Sequence, residues 1–475
     1  MQNLSSYISK PVAWAFGLCF LYWGYLFFTT QMLIACDAAG YEQLGNLIYK
    51  KGWLEFFKTG PSREPIYPAL VAASMAVGDW GGISYHKVQV IIQLGILVTT
   101  QLLMCWILGQ QRINRTLIAI VVLYFGFSPA IVNSALSLYS EIAAYPVVLV
   151  LLLIAARCWR AVQSALSQKE IVLWAIGLAL GLLALTLIKG VTEIIAPFFL
   201  APFLYLVFKY LRQPSKKIAV NALIVFVVSL FCYVGGISGY KYVNKVYNGN
   251  FAVTDRGPWL FYGNAVVRTQ PLTLPQMGAA LAFVPGEGFC RSFFSEEQCS
   301  FWSFHQLDPT GYIQLRQLIN SGMTVTQANV KIVQQGFDVI QQRPWQYLFL
   351  MGIEGFKLFF WESTQIGFVQ YPRWLNTIYH CFIFKNLLRL AVSFVTLVSF
   401  FYIITYVWRN KDSNAVLLFF MMWFVGMMMF AYSLGCVLNR YALPLVPVFM
   451  IIIANALKIK FGIFERNKKE LCPGQ

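Results

Sequence analysis

Apolar stretches of membrane-span length recur along this chain, and that recurrence limits its fold more than any motif does. A helix needs about 20 mostly apolar residues to cross a bilayer. Such stretches lie near 11–34, 86–109, 115–128 (a short one), 141–160, 171–188, 192–210, 218–239, 383–407, 414–433 and 441–459. Of the 475 residues, 58% are hydrophobic and 12% charged, where soluble domains carry about 45–50% and about 25%. So few charges cannot cover a water-facing surface. The expectation is an all-α polytopic membrane protein with about ten transmembrane helices.

The net charge is +17, which on a soluble chain would suggest nucleic acid. Here position matters more. One set of connections carries Arg112 and Arg115, then Arg157, Arg160 and Lys169, then Lys209, Arg212, Lys216 and Lys217, then Arg409 and Lys411. The tail adds Lys458, Lys460, Arg466, Lys468 and Lys469. The alternate short connections are nearly bare: 129–140 has no Lys or Arg, 189–191 has Lys189 and 434–440 has Arg440. This is the positive-inside pattern with both termini cytoplasmic. The partner it implies is a lipid bilayer, not nucleic acid. The first apolar stretch is too long for a cleaved signal peptide, and Leu33-Ile34-Ala35-Cys36 is not expected to be processed as a lipoprotein site.

Two long segments then lie outside, 35–85 and 240–382. The chain divides into a transmembrane module at 1–239 that includes the first outer loop, an outer-face domain at 240–382, and C-terminal spans with a basic tail at 383–475. The outer domain begins with a Pro/Gly-rich part at 258–288 and continues as one helix from Asp308 to Gln342, which Pro344 ends. Residues 345–361 are amphipathic and aromatic, and read as a helix lying at the interface. Trp259, Phe261 and Tyr262 suit sugar stacking or, equally, core and interface packing. Cys290 and Cys299 share this outer segment and are disulfide candidates. Cys19, Cys105, Cys158 and Cys232 fall in spans, where a thiol is a small apolar filler. No pair has CxxC spacing, and His86, His305 and His380 are scattered without ligand spacing, so no metal site is expected.

Charges at membrane depth are costly and are functional candidates by default. Here they gather at one level. Asp37 follows the first span, Arg63 and Glu64 sit in the first outer loop, and Glu141 opens the fourth span. Lys189 ends the fifth, Glu193 begins the sixth and Arg440 precedes the last. All belong to the outer face, although they are far apart in sequence.

Four local motifs hold these residues. Cys36-Asp37-Ala38-Ala39-Gly40-Tyr41-Glu42 places an acid at the start of an amphipathic interfacial segment, where Asp37 also suits a helix cap. In Arg63-Glu64-Pro65-Ile66-Tyr67-Pro68 two prolines fix the backbone that carries Arg63 and Tyr67. The third is Leu185-Thr186-Leu187-Ile188-Lys189-Gly190. The fourth is Asn439-Arg440-Tyr441-Ala442-Leu443-Pro444-Leu445-Val446-Pro447.

Together the four resemble the GT-C membrane glycosyltransferases, and most nearly the bacterial branch related to protein mannosyltransferases, lipid A aminoarabinose transferases and galacturonosyltransferases. The resemblance implies a first outer loop of interfacial helices that carries the catalytic motifs. It implies Asp37 as catalytic acid/base, and sugar transfer at the outer face of a bacterial inner membrane, with the active site facing the periplasm. There are departures. Ala38 stands where the family often has a second acid, Glu64-Pro65 replaces a double proline, Thr186 is displaced from Lys189-Gly190, and no Asp-x-Asp metal motif lies outside.

The chemistry agrees with that implication. A polyprenyl-phosphate-linked sugar donor loses a phosphate that gains charge, and fixed cations stabilise it; Arg63, Lys189 and Arg440 are suited to this. The acceptor, a hydroxyl on a lipid, glycan or protein, needs a base. Asp37 is the first candidate and Glu64 the second. One base without an enzyme nucleophile means inversion. Tyr67, Glu141 and Tyr441 are read as supporting residues. No cofactor is expected, and no motif supports a divalent metal. Three other readings stand beside this one, one of them a non-catalytic relic of the transferase fold, which the missing second acid keeps open. A lipid-sugar polymerase or ligase also uses outer arginines. A transporter or flippase would show midplane charges and repeated halves, neither of which the sequence displays.

Overall fold

The computed structural model describes residues 9–164, 166–211, 216–364, 366–410 and 413–461. Arg212, Lys411, Arg466, Lys468 and Lys469 of the basic connections and tail lie outside them. The first span is α1 (Lys10–Thr29). Beyond it β1 (Gln31–Met32) pairs antiparallel with β2 (Val369–Gln370), with Gln31 opposite Gln370 and Met32 opposite Val369. The first outer loop then builds α2 (Asp37–Lys51), α3 (Trp53–Lys58) and α4 (Ile66–Gly81). After α5 (Tyr85–Gln110), α6 (Arg115–Phe127) and α7 (Pro129–Leu136) meet at a 52° bend. Next come α8 (Glu141–Gln163), α9 (Gln168–Ile188), α10 (Thr192–Phe199), α11 (Ala201–Leu211) and α12 (Lys216–Asn248). The outer segment holds α13 (Arg256–Thr269), α14 (Leu274–Ala282), α15 (Glu287–Cys290), α16 (Glu296–Ser300), α17 (Phe304–Asn320), α18 (Val325–Gln342), α19 (Pro344–Gly355) and α20 (Arg373–His380). Last are α21 (Phe382–Arg409), α22 (Ser413–Leu434), a 3-10 turn at Asn439–Leu445 and α23 (Val446–Phe461). Among the described residues nine helices are long and apolar enough to cross a membrane, or ten if the bent pair forms one span. The protein is an all-α, multi-pass membrane protein.

The connection at 129–140 holds a helix of its own, and two sequence expectations need correction. Pro129 lacks an N–H and starts a new helix, with the Ser128 hydroxyl accepting from the Ile131 N–H. Residues of α7 are buried, and the carboxylate of Glu362 holds the break, accepting from Ser128 Oγ (2.8 Å), Ala130 N (3.3 Å) and the Tyr124 hydroxyl. The single helix expected from Asp308 to Gln342 is two. Gly322, at φ +96°, turns the chain after α17, and Thr324 with Gln327 forms a capping box that restarts it. Residues 345–361 do not form one surface helix. Trp345 is 81% exposed, but Phe359 and Trp361 are fully buried, because α19 packs on α22 and the chain then tightens into a 3-10 turn at Phe356–Phe359.

Close helix contacts set α2 on α4 and α17 on α13. A Cβ on Gly45 would lie 2.6 Å from Val71 Cγ1, so α2 rests directly on α4. A Cβ on Gly311 would lie 1.9 Å from the Trp259 carbonyl oxygen, so α17 crosses α13 at backbone contact. The helix α12 has 33 residues and runs about 50 Å at 1.5 Å per residue, longer than the hydrocarbon is thick. Its far end meets the first loop, where the Asn248 side chain donates to the Phe57 carbonyl at 2.7 Å. Cys290 and Cys299 are joined by a disulfide between α15 and α16.

Candidate active site

Asp37 is the first residue of α2, one position past the N-cap, Cys36. It turns to arginines from separate parts of the chain. Arg63 Nη2 donates to Oδ1 at 2.5 Å, and Arg440 Nη2 donates to Oδ2. Arg256 Nη1, from the first turn of α13, stands 4.0 Å from Oδ1. Burial raises the proton affinity of Asp37, but Arg440 and Arg63 outweigh it, and the carboxyl lies below its ordinary value. Burial works against the charge on Arg63, yet Tyr41 and Asp37 hold its pKa above the usual one.

Aromatic rings fix the guanidinium groups. Arg63 lies 5.1 Å from the Tyr41 ring centre. Arg440 lies between Tyr139 (5.0 Å) and Tyr441 (5.6 Å), and Tyr441 stacks on Tyr432 at 5.0 Å. The Tyr41 and Ser140 hydroxyls share a hydrogen bond of 2.9 Å. Tyr67 is fully buried, meets Tyr41 edge to face at 4.9 Å and donates to Gln93 Oε1 at 2.6 Å. Arg440 Nε is buried without a hydrogen-bond partner among the described residues.

Behind this centre is a second polar group. Lys189 Nζ pairs with Glu141 Oε1 at 2.9 Å, and both side chains are buried. Burial lowers the proton affinity of Lys189, but Glu141 reverses this and its pKa is raised. Thr192 Oγ1 donates to the Lys189 carbonyl at 2.8 Å and lies 3.0 Å from Thr186 Oγ1, so the displaced threonine still belongs to the turn. Glu64 Oε1 accepts from the Gly190 N–H at 2.6 Å. A Cβ on Gly190 would lie 2.7 Å from Thr254 Cγ2 and 2.9 Å from that oxygen, so only glycine fits.

The fold therefore brings Asp37, Arg63 and Arg440 into contact, flanked by Tyr41 and Tyr441. It gives Lys189 a partner in Glu141 and Glu64 a partner in Gly190. Glu193 pairs elsewhere, with Lys241, and the Cys290–Cys299 disulfide joins α15 to α16, away from this centre. Arg256 escaped the sequence reading. Its signal is faint: a cation in the first turn of a helix, where the dipole disfavours it.

A cleft of about 1010 Å³ opens onto the centre, and Arg63 and Arg256 line it. One wall is α2, and the other is α13 with α17. Trp259 also lines it. Phe261 instead packs on Phe337 at 5.1 Å, and Tyr262 packs against the small core formed by Trp259, Leu315, Ala328 and Ile332. Among the described residues, no three His, Cys, Asp or Glu side chains gather in a way that would hold a metal ion.

No protein-family model and no curated protein matches this chain. Among solved structures it is similar to the archaeal oligosaccharyltransferase AglB from Archaeoglobus fulgidus, determined in complex with an inhibitory peptide and a dolichol-phosphate. The identity is 15% and the TM-score 0.46, over 94% of this chain and 49% of that one. The chain thus spans about half the length of the structure that it matches.

Chemically, the centre is one carboxylate among three guanidinium groups, two of which line the cleft. Such a site can bind an anion of more than one charge, and it holds one group able to take a proton once the arginines are drawn away.

Proposed function

We infer that the protein is a glycosyltransferase of GT-C type that moves a sugar from a polyprenyl-phosphate donor to an acceptor hydroxyl at the outer face of the membrane. The observation that carries this reading is the shared hold of Arg63 and Arg440 on Asp37. The donor phosphate is a diester with one charge over two free oxygens, and it gains a second charge as the glycosidic bond breaks, so these forks hold it most strongly as the leaving group forms. When it enters, the arginines turn to it. Arg256 and the unpartnered Nε of Arg440 complete the phosphate shell. Asp37, relieved of its partners, becomes more basic.

The acceptor oxygen then attacks the anomeric carbon. Its proton passes to Asp37, the bond from the anomeric carbon to the phosphate oxygen breaks, and that oxygen keeps the electron pair. Polyprenyl phosphate leaves with one more negative charge, which the three arginines stabilise. One base and no nucleophile give inversion. Glu64 and the Lys189–Glu141 pair act as positioning groups, because their contacts tie the turn at Gly190 and not the Asp37 carboxylate. The step needs no cofactor, since the cations are the protein's own. The site belongs to the periplasmic face of a bacterial inner membrane, with both termini cytoplasmic.

The test is expression of wild type and Asp37→Asn at equal levels in a host lacking the gene, with mass spectrometry of envelope glycolipids and glycans. A sugar-sized mass increment with wild type alone supports the reading. The same product from both proteins removes Asp37 as base, and no product from either contradicts sugar transfer.

A further inference from the structure

We propose that the cleft between α2 and α13–α17 is the acceptor site, and that it takes an extended, anionic oligosaccharide. This rests on the transferase reading above and names the substrate class of the same site.

The first observation is charge. Lys50, Lys51, Arg63, Arg256 and Arg316 line the cleft, and Asp255 is the only carboxylate among the lining residues. Five cations thus face one carboxylate along the cleft. Arg63 is bound to Asp37. The other cations exceed what one donor phosphate requires, and Lys50 and Lys51 are remote from it. They stand on the last turn of α2 while Asp37 stands on the first, about 20 Å along the helix axis at 1.5 Å per residue. Lysines there also suit the helix dipole, but the dipole does not account for Arg316 on the opposite wall.

The second observation is the surface of that wall. Tyr312 is 43% exposed and meets Trp259 edge to face at 6.0 Å. Its hydroxyl accepts from Arg316 Nε at 2.8 Å, with the guanidinium 5.0 Å from the ring centre. An aromatic face beside a fixed guanidinium suits a sugar ring that bears a carboxylate or phosphate. Asn46, Gln43 and Ser62 supply hydrogen-bonding groups along the cleft. A glycan entering at Lys50 and Lys51 would thus end with a hydroxyl at Asp37.

The test uses the full-length protein in nanodiscs with two soluble probes, tetragalacturonate and neutral maltotetraose. Undecaprenyl phosphate binding is measured in parallel. Tetragalacturonate is expected to bind and maltotetraose to bind at least about tenfold more weakly, with a steep loss of the difference in salt. The double variant Lys50→Gln/Lys51→Gln, and separately Arg316→Gln, should each weaken tetragalacturonate binding by about tenfold and leave undecaprenyl phosphate binding unchanged. That unchanged binding also shows the variants are folded. Equal binding of the two probes, or tetragalacturonate binding that ignores all three substitutions, overturns the proposal. So does retention of phosphatidylglycerol vesicles through these residues without tetragalacturonate binding. Loss of undecaprenyl phosphate binding in the wild type is a different failure, that of the transferase reading itself.

Discussion

Asp37 Oδ1 lies 2.5 Å from Arg63 Nη2, so the acid suited to act as base rests on a cation suited to hold phosphate. In the ligand-free protein the two functions compensate each other. This keeps a partly buried cluster of arginines from standing uncompensated, which would be costly.

The pair has a pH signature. The folded pKa of Asp37 is depressed, so its contribution to stability is present above the unfolded value, about 3.9. It is lost as pH falls through the lower, folded value. Thermal unfolding is expected to show a constant gap between wild type and Asp37→Asn from neutral pH down to about pH 4, and a closing gap below. A gap that is flat through the acid range would argue against the ion pair.

Arg440 is held between two tyrosines, so its fork is aimed before ligand arrives. Arg440→Gln should weaken undecaprenyl phosphate binding about tenfold to hundredfold, the usual effect of a lost charge-assisted hydrogen bond. Arg440→Lys restores the charge but not the fork, and is expected to recover only part of it. Unchanged affinity in both variants would remove Arg440 from the donor site.

Gly190 approaches Glu64 and Thr254 too closely for any side chain. Gly190→Ala must shift the turn and lengthen the Glu64 hydrogen bond, at a cost of about 1–3 kcal/mol. A lowered Tm together with lower turnover is the expected result; wild-type values for both would show that the turn has slack.

The spans were readable from the sequence, because period and length are local. The partnerships were not. Glu141 and Lys189 stood out as outer-face charges, yet nothing local says that they meet. Arg256 joins Asp37 across more than two hundred residues, a contact made by packing. The sequence reading ended a span at 128, at the bend where Pro129 starts the new helix, but it ran one helix through Gly322, because helix-forming residues stand on both sides of that single breaker. Glu362 went unnoticed because its role is to accept hydrogen bonds at that bend, and a single buried acid carries no spacing signal.

The Glu141–Lys189 pair can be tested by balance. Glu141→Gln or Lys189→Met alone leaves one buried charge unpaired and should cost about 3–5 kcal/mol. The double variant should recover much of that in thermal unfolding. Additive losses would mean that the two residues act separately.

The most direct measurement is the affinity of purified Asp37→Asn for undecaprenyl phosphate, set beside its turnover. Asparagine keeps the shape of the side chain, gives up the charge that competes for Arg63 and Arg440, and cannot accept the proton. The expected result is binding about tenfold tighter than wild type, together with a loss of product formation of about a hundredfold or more. Weaker binding with turnover intact would contradict the exchange of arginines between Asp37 and phosphate, and with it the assignment of this centre.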